Sequence, residues 1–141
     1  MEGNSTLELK VRLARLLCVN LAAFDILLGG SALAAPSLVL KLFSPRQAPS
    51  GEALLRRTAS TWLFFVPVQV WAALKPKNPK ALRAVSILRL QEVPADPIWL
   101  ATGEGYGAFG KFGLVFAPVS NLAAGLFLNH VARELEKAEG M

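Results

Sequence analysis

Arg83-Ala-Val-Ser-Ile-Leu-Arg-Leu-Gln-Glu-Val-Pro-Ala-Asp-Pro-Ile-Trp-Leu-Ala-Thr102 is the stretch whose reading decides the fold. It is long enough to cross a membrane, yet Arg89, Glu92 and Asp96 lie in its middle. Helical residues advance about 100° each, so these three fall within a sector of roughly 60° on one face. Val85 and Trp99 flank that sector, and Ile87, Leu88, Leu90, Val93, Ile98 and Leu100 make the rest oily. Such a helix can turn its ionisable stripe into a bundle and the remainder toward lipid. Ionisable groups in a bilayer are costly and pair with one another. Here Arg89 and Glu92 are three apart, and Glu92 and Asp96 four apart, so pairing within the helix is expected.

The whole chain has the composition that this helix requires. Its 141 residues are 53% hydrophobic and 18% charged, with mean hydropathy +0.42. An average soluble domain is about 25% charged. The expectation is an all-α, integral membrane bundle of four transmembrane helices, forming a single domain over residues 1–141. The net charge of +5 does not point to nucleic acid, because the basic residues sit between apolar runs without an interleaved aromatic patch. They read as topology determinants and as contacts to the headgroups of a lipid bilayer. One cysteine, Cys18, and one histidine, His130, leave no disulfide and no Cys/His metal centre, and no cofactor is expected.

Outward from the third helix, the other spans follow. Helix one is expected at about residues 16–35, closed by Pro36, after a polar start in which Asn4-Ser5-Thr6 and Glu8 approximate a capping box. The long N-terminal region with its acids, and Asp25 inside the apolar core, argue for a retained helix and against a cleaved signal. Asp25 shares a face with Cys18, Leu21, Gly29 and Ala32, and Gly29, Gly30 and Ala32 read as close-packing positions. Ser37–Phe43 reads as an interfacial turn, and Ser44–Glu52 as a loop in which Ser50 could cap the next helix.

Helix two is expected at 53–74, kinked at Pro67, with Thr58, Trp62, Phe65 and Gln69 along one face. Trp62 and Trp71 also suit the aromatic belt at a membrane interface. Lys75–Lys80 reads as a basic loop and helix three covers 83–102. The five glycines between Gly103 and Gly113 lack the preceding strand and the Gly-Lys-Ser/Thr of a phosphate loop, so they read as a connection with close backbone approach. Helix four is expected at 112–130, continuing into a charged tail. With four spans, nine basic residues fall on the side of the termini and five on the other, which places both termini in the cytoplasm.

The candidate polar site is Asp25, Glu92 and Asp96 as acids and bases, with Arg89 as charge partner. Trp62, Gln69, Trp99 and Asn121 are candidates to line a binding site. Such groups permit three functions. A buried ion-pair network that fixes helix register suits an accessory or interaction subunit of a larger membrane complex, or a homo-oligomer. Paired carboxylates of unequal acidity suit a membrane isomerase, cyclase or epoxide-opening enzyme acting on a lipophilic small molecule. An Asp/Glu/Arg chain also suits a small proton-coupled transporter.

In overall design the chain resembles the DoxX-like small four-helix membrane proteins. The resemblance lies in Arg12 and Arg15 ahead of helix one, in Gly29 and Gly30 late in it, in Pro36 at its close, and in a polar third helix bearing Arg89 and Glu92. It spans most of the chain. It implies the four-helix fold, and for some members a place as accessory subunits of membrane redox systems. It implies no catalytic residue here.

Overall fold

A computed structural model describes residues 2–46 and 51–140, with side chains from residue 5 onward. The described residues are all-helical: α1 (Glu2–Ala34), α2 (Pro36–Phe43), α3 (Gly51–Leu74), α4 (Pro79–Glu92), α5 (Ala95–Thr102) and α6 (Ala108–Ala138). Helix α1 starts at Glu2, so Asn4-Ser5-Thr6 lie inside the helix and not at its cap as expected, whereas the capping role of Ser50 and the loop's middle at 47–50 lie outside the described residues. Of these helices, α1 (from Ser5) and α6 are long and apolar enough to cross a membrane. Helix α3 has the length, but Arg57, Thr58, Ser60, Thr61 and Gln69 dilute its apolar character.

The third span is not one continuous helix. Proline lacks an N–H and crowds the carbonyl four residues back, so Pro94 cannot continue the ladder from Leu90. The chain tightens at Val93, whose N–H donates to the Leu90 carbonyl at 3.3 Å, and α5 begins at Ala95. Val93 and Pro94 both keep right-handed helical torsions, so the break is a kink and not a reversal. The start also differs from expectation. Asn78 Oδ1 accepts from the N–H groups of Lys80 and Ala81 at 3.0 and 3.3 Å, and Pro79 occupies the first turn, where its missing donor costs nothing. The basic loop therefore shrinks to Lys75–Asn78. Pro36, likewise, ends α1 and opens α2, so the interfacial turn is a short helix with Lys41 exposed.

Helix α1 packs chiefly on α3, and α4 on α6, giving two helix pairs side by side. The apolar core lies toward the end that holds the termini, among Ala14, Cys18, Ala72, Leu82, Leu128 and Val131. Small residues set the spacing. A Cβ on Gly29 would meet Leu63 Cγ at 2.9 Å and the Ala59 carbonyl oxygen at 3.1 Å, so only glycine lets α1 and α3 touch there. Gly30, in contrast, has open space around it and is not a packing position within the bundle. Between α4 and α6, Ser86 Oγ donates to the Gly125 carbonyl at 2.7 Å, and a Cβ on Gly125 would meet Leu90 Cγ at 2.6 Å. Outside, the surface is apolar: Leu27, Phe64 and Leu74 are each 70–73% exposed. Exposed hydroxyls of Thr58, Ser60 and Thr102 bond back to carbonyls of their own helices, four residues earlier, at 2.7–3.0 Å.

Ion pairs gather beyond the apolar segments, at the terminal end. Lys10 bonds Glu134 at 2.7 Å, Lys77 bonds Glu8 at 2.5 Å and Arg83 bonds Glu136 at 2.8 Å. These tie α1, the α3–α4 loop, α4 and the α6 tail. The Lys77 hydrogen bond holds the Glu8 carboxyl below its ordinary pKa of 4.5, and the Lys10 hydrogen bond does the same for Glu134. A carboxyl depressed by folding contributes stability above its ordinary pKa and loses it as pH falls through the folded value. The expected result is a thermal midpoint that drops with acidification below pH 4.5, where these two groups titrate. Comparison with the Lys10→Ala/Lys77→Ala variant checks it, since its acid drop should be smaller.

Candidate functional site

The polar centre of the bundle is built from three helices. Asp25 comes from α1, Gln69 from the inner face of α3 and Arg89 from the last turn of α4. Asp25 Oδ2 accepts from Gln69 Nε2 at 2.8 Å and from Arg89 Nη2 in a short ion-paired contact. All three are buried: Asp25 is 1% exposed, Gln69 0% and Arg89 4%. The guanidinium lies over the Phe65 ring, with Cζ 5.8 Å from its centroid, a favourable cation–π geometry. Asp25 and Gln69 belong to the α1/α3 pair and Arg89 to the α4/α6 pair. The ion pair therefore bridges the two halves of the bundle.

Arg89 does not use its helix neighbour Glu92 as its direct partner, contrary to the intrahelical pairing expected from spacing. Its side chain reaches across to Asp25, because the tight Asp25 contact and the Phe65 face are both buried whereas Glu92 is half-buried. Glu92 lies near Trp62, Asp96 and Arg89, at the kink. Asp96, in the first turn of α5, is also half-buried. Trp99 is 39% exposed, and half-buried Asn121 on α6 makes no side-chain hydrogen bond to the Asp25 cluster. The sequence-derived candidates thus separate into a buried triad, a half-buried acidic pair beside Trp62, and two residues outside both.

Two atoms of the triad, Gln69 Oε1 and Arg89 Nε, are buried without a hydrogen-bond partner among the described residues. One is an acceptor and the other a donor. Two clefts, of about 500 and 470 Å³, open at opposite ends of the bundle, and neither is lined by the triad. Because its three members come from both helix pairs, the triad is suited to holding the helices in register. Ser86 and Gly125 are a further polar contact that the sequence reading missed. The recurrence of small residues on α6, Gly125 and Ala132 seven apart, was the signal that could have found it.

No family model, no curated protein and no solved structure matches the chain.

Proposed function

We propose that the protein is a small integral membrane bundle that serves as an interaction or accessory subunit of a larger membrane assembly. In this reading α1, α3, the kinked α4–α5 pair and α6 are four spans, with both termini cytoplasmic. The long apolar helices α1 and α6 and the apolar exterior support membrane insertion. Kinship with the DoxX-like proteins belongs to the same proposal and rests on Arg12, Arg15, Gly29, Gly30, Pro36, Arg89 and Glu92.

The observation that carries the subunit role is the outward face of α1. Asn20, Ala23, Gly30, Ser31 and Ala34 recur there at helical spacing, at the surface around Leu27. The Asn20 amide has no side-chain hydrogen bond among the described residues, and a Cβ on Gly30 would meet nothing within 4 Å. An amide facing hydrocarbon seeks a donor and an acceptor, and small residues let a second helix approach closely. The direct ion pair between Asp25 and Arg89 Nη2 supports the same reading, since each charge already has its counterion.

Native mass spectrometry of protein extracted gently from its own membrane tests this. A stoichiometric larger partner is expected with the wild type and is lost from the Asn20→Leu/Gly30→Leu variant, whose bundle stays folded. A lone chain carrying a lipophilic molecule would overturn the subunit reading in favour of an enzyme. Glu92→Gln and Asp96→Asn should each shift stability by less than about 0.5 kcal/mol, as both acids lie outside the buried triad. Thermal unfolding in detergent checks that expectation.

A further inference from the structure

At the end of the bundle away from the termini, the structure forms a cleft whose chemistry the subunit role does not use. Its volume is about 500 Å³ and its lining is Arg46, Leu100, Gly103, Glu104, Gly105, Tyr106 and Lys111. The turn after α2, the end of α5 and the first turn of α6 converge there. The Gly107 N–H donates to the Phe43 carbonyl at 3.0 Å, which pins the connector to the end of α2. Gly105 has φ +81°, and a Cβ there would meet the Arg46 backbone at 3.1 Å. Glycine at 105 is thus what holds the Arg46 turn against the connector.

Charge and hydrogen-bonding capacity both favour an anion. Arg46 and Lys111 have no carboxylate within 4 Å among the described residues, although Glu104 shares the cleft. The ion pairs among the described residues lie elsewhere, at the terminal end or in the buried triad. The backbone N–H groups of Glu104, Gly105 and Tyr106 make no backbone hydrogen bond among the described residues, and Tyr106 adds a hydroxyl. Helix α6 starts at Ala108 with no side-chain cap on its first N–H groups, so its positive end lies next to the cleft. Two cations without an ion-pair partner, amides without a backbone partner and a hydroxyl suit a group with several acceptor oxygens and a full charge. Just outside, Leu42, Phe109 and Phe112 are each 52–63% exposed, which would seat acyl chains below a headgroup.

We infer that this cleft binds a phosphate group, with Arg46 and Lys111 as its charged contacts. The phosphate is carried by a lipid headgroup or is free in solution, and binding measurements separate the two sources. Purified protein in neutral detergent is titrated with phosphatidylglycerol, with diacylglycerol as the phosphate-free control, and separately with inorganic phosphate. The expected result is saturable binding of phosphatidylglycerol that weakens about tenfold with Arg46→Gln or Lys111→Gln alone and further in the double variant. Lys75→Gln/Lys80→Gln, at the other end, should bind as the wild type does. Saturation by inorganic phosphate with the same residue dependence identifies a free-phosphate site. Both substituted side chains are exposed, so helical content and thermal midpoint should not change. Binding that survives the double variant, diacylglycerol binding as tight as phosphatidylglycerol, or no binding in any arm overturns the inference.

Discussion

Asp25→Ala should destabilise the protein by about 3–5 kcal/mol, the largest effect of any single substitution outside the helix crossings. The reason is asymmetry. Removing the carboxylate leaves Arg89, 4% exposed, as a buried charge without its direct partner, since the nearby Glu92 makes no ion pair with it within 4 Å. Gln69 loses the acceptor for its Nε2 at the same time. The favourable ion pair itself is worth much less than its rupture costs, because both charges were desolvated to form it. Asp25→Asn should fall between wild type and alanine, since an amide oxygen still accepts a hydrogen bond but carries no charge. Reversible unfolding in mixed micelles, followed by loss of helical ellipticity, measures the series. A loss below about 1 kcal/mol for the alanine variant would contradict the assignment of Asp25 as the tie between helix pairs.

The second large effect is expected at Gly110. A Cβ at this position would collide with the carbonyl of Phe43, whose oxygen is already bonded to the Gly107 N–H. The opposing atom is backbone held at both ends, so it cannot swing aside as a side chain would. Alanine favours a helix over glycine by about 0.5–1 kcal/mol, and a forced separation of packed elements costs about 1–3 kcal/mol or more. The clash wins, and Gly110→Ala should be net destabilising while detaching α2 from the start of α6. Gly30→Ala is the matched control. Nothing lies within 4 Å of its new methyl group, so helix propensity alone acts and the isolated bundle should gain about 0.5–1 kcal/mol. Opposite signs for two chemically identical changes are the expected outcome, checked by the same unfolding measurement.

Much of the all-helical architecture was legible from apolar run length. The long helices α1 and α6 cover the runs expected at 16–35 and 112–130 and extend beyond them, and α6 starts at Ala108, so Gly110 and Gly113 lie inside the helix and not in the connection expected over Gly103–Gly113. Asp25, Gln69 and Arg89 stood out as polar residues within apolar helices, and the fold brings these three together. Their pairing was less legible. Spacing along one helix identifies Glu92 as a neighbour of Arg89, but whether a long side chain turns along its own helix or across the bundle depends on inter-helix register. That register is set here by Gly29 against α3 and Gly125 against α4, contacts between residues far apart in sequence. The start of α4 was legible and overlooked. Asn78 followed by Pro79 is a cap and first-turn pair, masked in the reading by the lysines around it. The break of the third span at Pro94 was half legible, since proline announces a kink but not whether two separate helices result.

The most direct measurement on the central claim, that Asp25 and Arg89 are architecture and not chemistry, is the paired replacement Asp25→Leu/Arg89→Met. Exchanging both charges for apolar side chains of similar volume removes the desolvation cost together with the attraction. Gln69 loses its acceptor here as well, which costs about 1–3 kcal/mol, so the unfolding free energy should return to within about 3 kcal/mol of wild type and above either single variant. The double variant should also retain the partner proposed to accompany the wild type out of the membrane. A double variant that folds as stably as wild type but no longer carries that partner, or that loses a turnover the wild type shows, would contradict the claim and make the ion pair a working part of the site.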